Sequence, residues 1–364
     1  MKKPFFILIA ALLVSGSAGS AENSRRGLFV SMIEEPPVLS SRQKIDELID
    51  FSKKAGIDTL FVQVYRANRS WFPSKSSDSS LYDEAFQKIG EDPLALLIRQ
   101  AHASNIHVHA WMNLLSLSGN ESAPLLKKYG PSILTRNREP KKELSDYKID
   151  NQYFLEPGDA RVRKELSGIV DQLLKRYPQL DGLQFDYIRY PDAHPFYGYS
   201  QENIRRFLKE KGVKAIREED PVWKDWKRAQ VTSLLESLVL QVRTLRPKIQ
   251  VSTTGCLPYA RAYQEALQDW PSWLDRGLIN FVTVMDYSAD PSEFEHFLAD
   301  AKKRTKYPEK MNITVGAYKP ATTPESFSKE WGICESSGCR SCVAFYYGNF
   351  SKNFSLAGAL IETS

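Results

Sequence analysis

Eight short apolar segments, rich in β-branched and aromatic residues, recur along the chain, and helical patterns separate most of them. The segments are residues 27–33, 57–65, 106–115, 182–190, 249–256, 279–287, 311–318 and 342–347. The helical patterns include residues 41–55, 93–104, 160–176 and 227–245. A strand that returns in parallel needs a crossover, and a helix is the usual one. The alternation therefore predicts an α/β protein, a closed (β/α)8 barrel.

An open doubly wound sheet is the alternative arrangement of the same elements. That fold normally places a phosphate-binding glycine turn after its first strand, whereas residues 32–40 (MIEEPPVLS) contain no glycine. Three long intervals, 66–92, 115–159 and 191–226, follow predicted strand ends. We expect them to be loops at the carboxyl-terminal face of the barrel, where such proteins build their active sites.

Residues 1–21 have the three zones of an export signal. Lys2 and Lys3 precede an apolar stretch, and small residues including Gly19 lead to a predicted cleavage site after Ala21. The apolar stretch is too short to cross a bilayer. No Pro, Gly or Ser linker divides the remainder, so residues 22–364 are predicted to form one soluble domain, periplasmic or secreted, with no integral membrane segment.

Charge and cysteine content limit the partners and cofactors. The 49 basic and 44 acidic residues are interspersed, which makes nucleic acid a poor candidate partner. In an oxidising compartment Cys334 can pair with either Cys339 or Cys342, and Cys256 stays unpaired. A zinc site at this cysteine trio would lack a nearby fourth ligand, since the nearest histidine is His296. We expect no metal and no other cofactor.

The fourth segment contains the motif DGLQFDYIRYP at residues 181–191, with one carboxylate near its far end. In a regular strand Gln184, Asp186 and Ile188 share one face. Asp186 can therefore point into the barrel, at the strand end where this fold carries active-site groups. The alternative is a structural role, in which Asp186 caps a loop or pairs with a neighbouring arginine.

The second strand runs into the sequence VYRANRSWFPSK. Tyr65, Arg66 and Trp71 combine hydrogen-bond donors with aromatic faces that can stack on a sugar ring. Trp71 can equally well cover the barrel rim. This strand end is therefore a candidate substrate-binding surface.

The third strand, HVHAWMN, places His107, His109, Trp111 and Asn113 on one parity. If that parity faces the barrel interior, His109 and Asn113 converge on a pocket. The H-x-H pair is also found in metallohydrolases, but the other histidines show no matching ligand spacing. The prediction is that His109, Trp111 and Asn113 bind substrate.

Six pieces of the sequence follow one another in this order: RGLFVSM at 26–32, GIDTLFVQVYRANRSWFPSK at 56–75, HVHAWMN at 107–113, FLEPGDARVRKEL at 154–166, DGLQFDYIRYP at 181–191 and M-x-Y at 285–287. Together they resemble the glycosyl hydrolase-like 10 family of bacterial barrel proteins. The resemblance implies a (β/α)8 fold and hydrolysis of glycosidic bonds, with Asp186 as the leading catalytic carboxylate.

The same strand is similar to the chitinase-type signature D-G-x-D-x-D-x-E. Asp181, Gly182 and Asp186 agree with it, whereas Gln184 and Ile188 replace an inner Asp and the proton-donating Glu. The chitinase mechanism therefore does not transfer directly. Tyr287, in the M-x-Y piece, still suits contact with an N-acetylated sugar.

A glycosidase ordinarily needs a second carboxyl group, unless the substrate's own acetamido group acts as nucleophile. We select Asp286 as this second catalytic residue, because a barrel strand holds a side chain more rigidly than a long loop does. Asp286 and Tyr287 take opposite faces of a regular strand, so only one of them can face inward. Arg189 could hold Asp186 ionised, bind a substrate hydroxyl or form a structural ion pair. The other candidates for the second carboxylate are Glu34, Glu35, Glu156 and Asp192.

The residues thus favour an exported glycoside hydrolase that cuts a bacterial envelope or environmental polysaccharide, with an oligosaccharide or polysaccharide as its partner. The alternative is a catalytically silent barrel that binds glycan through Tyr65, Trp71, Trp111 and Tyr287. A structural protein of the envelope is a third class. No G-x-S-x-G elbow occurs in the sequence, which argues against a Ser-His-Asp hydrolase.

Overall fold

The computed structural model describes residues 25–192, 197–217 and 220–363. The expected export signal, residues 1–21, lies outside the described residues.

Eight parallel strands form a closed barrel. Each strand pairs with the next along the chain, and β1 pairs with both β2 and β8, which closes the sheet. The (β/α)8 prediction is therefore confirmed, with all eight predicted strands in place. The strands are β1 Arg25–Val30, β2 Thr59–Arg66, β3 His107–Asn113, β4 Gly182–Asp186, β5 Gln250–Cys256, β6 Phe281–Asp286, β7 Met311–Gly316 and β8 Ser341–Phe345.

Helices cover the outside of the barrel and fill the loops. They are α1 Arg42–Lys54, α2 Ser80–Ile89, α3 Pro93–Ala103, α4 Pro124–Tyr129, α5 Ala160–Arg176, α6 Gln201–Lys211, α7 Pro221–Leu245, α8 Tyr259–Gln264, α9 Trp270–Asp275, α10 Pro291–Lys303, α11 Pro324–Ser336, α12 Tyr347–Phe350 and α13 Phe354–Glu362. Short 3-10 turns occupy Val38–Ser40, Gly130–Ile133, Leu144–Tyr147 and Pro308–Lys310, and short strands occupy Arg69–Ser70, Ser116–Ser118 and Tyr153–Phe154.

The sequence marks the helix starts with side chains that accept from free backbone N–H groups. Asp92 accepts from Ala95 N ahead of α3, and Asp159 accepts from Arg161 N ahead of α5. Proline in the first turn of α3 adds a preset φ where no N–H is needed. These caps explain why the four predicted helices begin within a few residues of the expected positions, except that α7 starts earlier, at Pro221.

Strand β4 is shorter than the sequence pattern predicted. It ends at Asp186, because Tyr187 adopts a positive φ of 51° and turns the chain out of the sheet. Residues 187–190 therefore belong to the loop that follows β4, and that loop reaches over the end of the barrel.

The barrel interior is packed with side chains. Phe29, Phe61, Trp111 and Phe281 form one buried cluster, in which the rings of Phe29 and Trp111 lie 4.9 Å apart. His109 fits between the rings of this cluster because Gly182 has no side chain: a Cβ there would lie 2.1 Å from His109 Nδ1. The lower half of the barrel is thus closed, and any site must lie above it.

A disulfide joins Cys334 in α11 to Cys342 in β8. Of the two partners that the sequence left open for Cys334, the structure selects Cys342. Cys339 is half-buried with a free thiol, and Cys256 is buried with a free thiol. Across the described residues, no helix is both long and apolar enough to cross a membrane.

Candidate active site at the carboxyl end of the barrel

A cleft of about 530 Å³ opens at the carboxyl-terminal end of the barrel. Six strands contribute residues from their downstream ends to the cleft wall, and the segments that follow β1 and β7 contribute Ser31 and Tyr318. The cleft lies above the closed aromatic layer, so it is a pocket and not a channel. This is the face on which (β/α)8 enzymes carry their active sites.

Asp186 lies in the cleft and accepts three hydrogen bonds. Oδ2 accepts from Trp111 Nε1–H at 3.0 Å, and Oδ1 accepts from the Thr254 hydroxyl at 2.5 Å and from the Tyr187 backbone N–H at 2.7 Å. Three donors on one carboxyl group fit its ionised form, which only accepts hydrogen bonds. The neighbouring strands β3 and β5 thus hold the carboxylate in one orientation.

The turn at Tyr187 brings further polar groups into the cleft. The Arg189 guanidinium lies 4.6 Å from the centre of the Tyr187 ring, in a cation–π arrangement. Asp192 pairs with Arg189 at 3.2 Å and with Arg261 at 3.3 Å. Asp192 and Asp186 are the two carboxylates that line the cleft among the described residues, and Asp192 is the one paired with arginine.

Aromatic side chains form a continuous wall on another side of the cleft. The ring of Tyr287 lies 4.9 Å from Phe345 and 5.2 Å from Tyr318, and Tyr346 lies 5.2 Å from Phe345. Burial, and then the charge of Asp186, raises the pKa of Tyr287 well above its ordinary range, so its hydroxyl keeps its proton and can donate. Ring faces beside hydroxyl donors match the apolar and polar faces of a sugar.

The cleft floor is held by an amide pair. Gln63 Nε2 donates to Asn113 Oδ1 at 3.0 Å, and Gln63 Oε1 accepts from the Ser31 hydroxyl at 3.0 Å. Ser31 and Asn113 both line the cleft. Strands β1, β2 and β3 are therefore locked together directly beneath the place that a substrate would occupy.

Glu34 is buried behind Ser31 and does not itself line the cleft. Its Oε1 accepts from the backbone N–H of Ser31 at 3.1 Å and of Gly348 at 3.2 Å. Burial raises the pKa of Glu34 to about 7, so a large share of the molecules carries a proton on it near neutral pH. Its neighbour Tyr346 lines the cleft.

The structure brings six of the predicted site residues to the cleft: Arg66, Trp111, Asn113, Asp186, Arg189 and Tyr287. Trp111 lines the cleft, its indole N–H donates to Asp186, and 4% of the residue is exposed.

Three predicted substrate-binding residues do not reach the cleft. Tyr65 is fully buried and its hydroxyl accepts from Asn68, while Trp71 is 2% exposed and packs in the main core. His109 lies lower in the barrel, where burial lowers its pKa to about 3 and keeps the ring neutral. His109 does lie on the inward face of its strand, as the alternation predicted. The alternation does not show how far along the barrel axis a residue lies from the cleft.

Asp286 also lies outside the cleft, which corrects the choice of the second carboxylate. Met285 and Tyr287 line the cleft, so Asp286 points the other way, toward the layer between the barrel and the helices. There it lies near Glu293, its Oδ2 has no hydrogen-bond partner among the described residues, and burial raises its pKa to about 7. Glu156, another candidate, is fully buried and accepts from the Tyr190 hydroxyl at 2.5 Å.

Sequence reasoning missed Tyr187, Tyr318, Phe345, Tyr346 and Arg261. Tyr318 and Phe345 stand at the ends of predicted strands, so inspecting the seventh and eighth strand ends for aromatic residues would have found them. Arg261 lies in a loop helix that no motif marked, and Tyr187 enters the cleft only through its positive φ.

Within the described ranges, no group of three or more His, Cys, Asp or Glu side chains is placed to hold a metal ion.

Comparisons with known proteins agree with the barrel fold. The model of the family described as Glycosyl hydrolase-like 10 matches residues 25–332. The protein named glycosyl hydrolase DigH of Escherichia coli (strain K12) is 24% identical over 342 residues, which cover 84% of this chain and 74% of that protein.

Solved structures with a similar fold include a β-galactosidase and a chitinase. A β-galactosidase from the psychrophilic Marinomonas ef1 superposes with a TM-score of 0.64 and 9% identity, covering 93% of this chain and 58% of that one. A chitinase from Chromobacterium violaceum superposes with a TM-score of 0.52 and 8% identity, covering 93% of this chain and 98% of that one. At these identities the likeness shows the fold alone, and the chain spans less than two thirds of the galactosidase.

Proposed function

Because the chain belongs to the glycosyl hydrolase-like 10 family, we propose that it hydrolyses glycosidic bonds in the cleft at the carboxyl end of its barrel. The observation that carries the proposal is Asp186, a carboxylate fixed by three donors and facing an aromatic wall. The substrate class is a polysaccharide of the bacterial envelope or of the surroundings.

Asp186 suits the role that carries negative charge in glycoside hydrolysis. The transition state develops positive charge at the anomeric carbon, and a fixed carboxylate stabilises it or attacks it. Trp111 and Thr254 hold both carboxylate oxygens, so no reorientation is needed during the reaction. Tyr287 and Arg189 are placed to donate hydrogen bonds to sugar oxygens.

A proton donor for the leaving oxygen is the second requirement. Asp192 lines the cleft, but Arg189 pairs with its Oδ1 and Arg261 with its Oδ2. Burial raises the pKa of Glu34 to about 7, and Glu34 lies beside Ser31 and Tyr346, which line the cleft. A general acid works best with a pKa near the working pH, and so Glu34 is our proposed donor.

The test measures hydrolysis and binding on the same samples. Purified protein is incubated with a panel of N-acetylated and neutral bacterial and plant polysaccharides, and released reducing ends are measured beside binding affinity. Release of reducing ends above a heat-treated control supports the proposal. Binding without release on every substrate of the panel contradicts it.

A second candidate function, glycan binding without turnover, rests on a specific observation. The predicted partner Asp286 lies outside the cleft, and the other carboxylate inside it, Asp192, is paired with two arginines. A binding barrel needs the aromatic wall and hydrogen-bond donors but no proton donor. Binding without reducing ends in the assay above is its expected result.

Export is also part of the proposal. The charged start, apolar stretch and small-residue tail of residues 1–21 support cleavage after Ala21 and a periplasmic or secreted location. Amino-terminal sequencing of the exported protein should begin at Glu22. Exported protein that retains Met1 would contradict it.

A further inference from the structure

A second groove of about 330 Å³ opens beside the cleft on the same face of the barrel. Ile33 and Arg66 line both cavities, so the two share a wall and meet at these side chains. The groove continues past them between Arg69, Leu81 and Gly119. A ligand longer than the cleft can therefore extend into the groove without leaving the surface.

Ile33 and Arg66, which line both cavities, each have a side chain that is available to contact a ligand. Ile33 is 54% exposed, which is unusual for a large aliphatic side chain. The Arg66 side chain forms no hydrogen bond or ion pair with any described residue, although its neighbour across the hairpin, Arg69, pairs with Asp78. Arg66 thus presents guanidinium donors that no protein group uses.

The walls of the groove are held by hydrogen bonds between its loops. Asn120 Nδ2 donates to Ala67 O at 2.7 Å, which ties the loop after β3 to the loop after β2. Asn68 Oδ1 accepts from the Leu125 backbone N–H at 2.9 Å and strengthens the same connection. These bonds hold the walls of the groove to each other within the protein, so binding there requires little ordering.

We propose that this groove binds sugar units next to the scissile linkage, so that the protein acts on glycan chains and not on single glycosides. The proposal rests on the proposed function, because it places the reacting linkage at Asp186. Apolar Met32, Ile33 and Leu81 suit the C–H face of a sugar ring, while Arg66 and Arg69 suit its hydroxyl oxygens.

The experiment measures affinity against chain length. The probes are a disaccharide, a tetrasaccharide and a hexasaccharide of β-1,4-linked N-acetylglucosamine, and calorimetry is performed with the Asp186→Asn protein to prevent cleavage. The groove is blocked with Gly119→Trp in the same background. A Cβ at Gly119 would meet only Asn151 O, at 3.6 Å, so a side chain can be added there.

The matched control is Gly332→Trp, because a Cβ at Gly332 in α11 meets nothing within 4 Å and α11 is not part of either cavity wall. We expect affinity to rise about tenfold from disaccharide to hexasaccharide, a gain of about 1.4 kcal/mol. Gly119→Trp should abolish this rise, and Gly332→Trp should keep it.

Three outcomes overturn the proposal. Sugar binding in the groove is contradicted if affinity does not grow with chain length, or if it grows equally in the Gly119→Trp protein. Either result leaves the proposed hydrolysis in the cleft standing. Absence of binding at every length overturns the groove and, for N-acetylated glucans, the proposed function as well.

Discussion

Trp111 Nε1–H donates to Asp186 Oδ2 at 3.0 Å, joining the ends of β3 and β4. Thr254 reaches the other carboxylate oxygen from β5. The central carboxylate is therefore oriented by both neighbouring strands. In both neighbours the side chain that donates comes from a barrel strand and not from a loop.

Trp111→Phe should remove one donor while keeping most of the ring volume. A hydrogen bond to a charged group contributes about 1.5–3 kcal/mol, so we expect kcat on a verified glycan to fall about tenfold to a hundredfold. Thr254→Val, which removes the other side-chain donor, should have a similar effect. Steady-state kinetics and melting temperature check this, and unchanged kcat in both variants would show that neither donor supports catalysis.

Glu34→Gln tests the proposed proton donor. Gln keeps an oxygen for the Ser31 and Gly348 N–H groups but cannot supply the proton. Turnover should fall strongly for glycosides with poor leaving groups and much less for an activated aryl glycoside. Asp192→Asn is the comparison variant. If Asp192→Asn shows that leaving-group pattern and Glu34→Gln does not, Asp192 is the acid.

The stability of the fold should depend on two buried acids, Asp286 and Glu330. Burial raises the pKa of Asp286 to about 7 and that of Glu330 to about 8, and neither Glu330 oxygen has a hydrogen-bond partner among the described residues. Nearby charges act in both directions, since Glu293 and Asp290 raise these values and Lys319 lowers them.

Between about pH 4 and about pH 8 the folded protein therefore keeps protons on Asp286 and Glu330 that the unfolded chain releases. The contribution of these two groups to the free energy of unfolding is fully present below about pH 4 and is lost as the pH rises to about 8. Each group held protonated only in the folded state gives a slope of about 1.4 kcal/mol per pH unit. Denaturant unfolding of the double variant Asp286→Asn/Glu330→Gln, minus that of the parent, should show a stability gain that grows across this range. A difference independent of pH would contradict the prediction.

The pairing of Cys334 with Cys342 predicts unequal effects of two serine substitutions. Closing this short loop stabilises the fold by about 2–3 kcal/mol in the chain-entropy treatment. Cys342→Ser should lower the free energy of unfolding by that amount, whereas Cys339→Ser should change it little. A larger effect of Cys339→Ser would mean that Cys339 is the true partner, and equal effects would contradict the predicted difference.

The sequence predicted the barrel because eight strand patterns alternate with helix patterns, a signal that depends only on local periodicity. It also predicted Asp186, since both the strand parity and the family motif point to the same residue. The choice of Asp286 was wrong because Asp286 and its neighbour Tyr287 were both candidates for the inward face of the same strand. The residue pattern of a single strand does not show which of its two faces points into the cleft.

Depth along a strand and backbone reversal were also invisible in the sequence. His109 lies on the strand face that points into the barrel. It stands two pleat repeats before Asn113 at the cleft floor, among aromatic rings. Tyr187 would lie on the face opposite Asp186 if the strand continued regularly, but its positive φ places it in the cleft. Such features depend on tertiary packing, which local patterns do not encode.

The most direct test of the account is Asp186→Asn, measured beside Asp181→Asn. The two aspartates belong to one motif, but Asp181 lies at the opposite end of β4, where it accepts from the Val108 backbone N–H at 2.7 Å. On a glycan that the parent cleaves, Asp186→Asn should lower kcat by on the order of a hundredfold or more, as expected for loss of a catalytic carboxyl group. Its melting temperature should stay close to that of the parent, and Asp181→Asn should retain activity. Undiminished turnover by the Asp186→Asn protein would contradict the central claim.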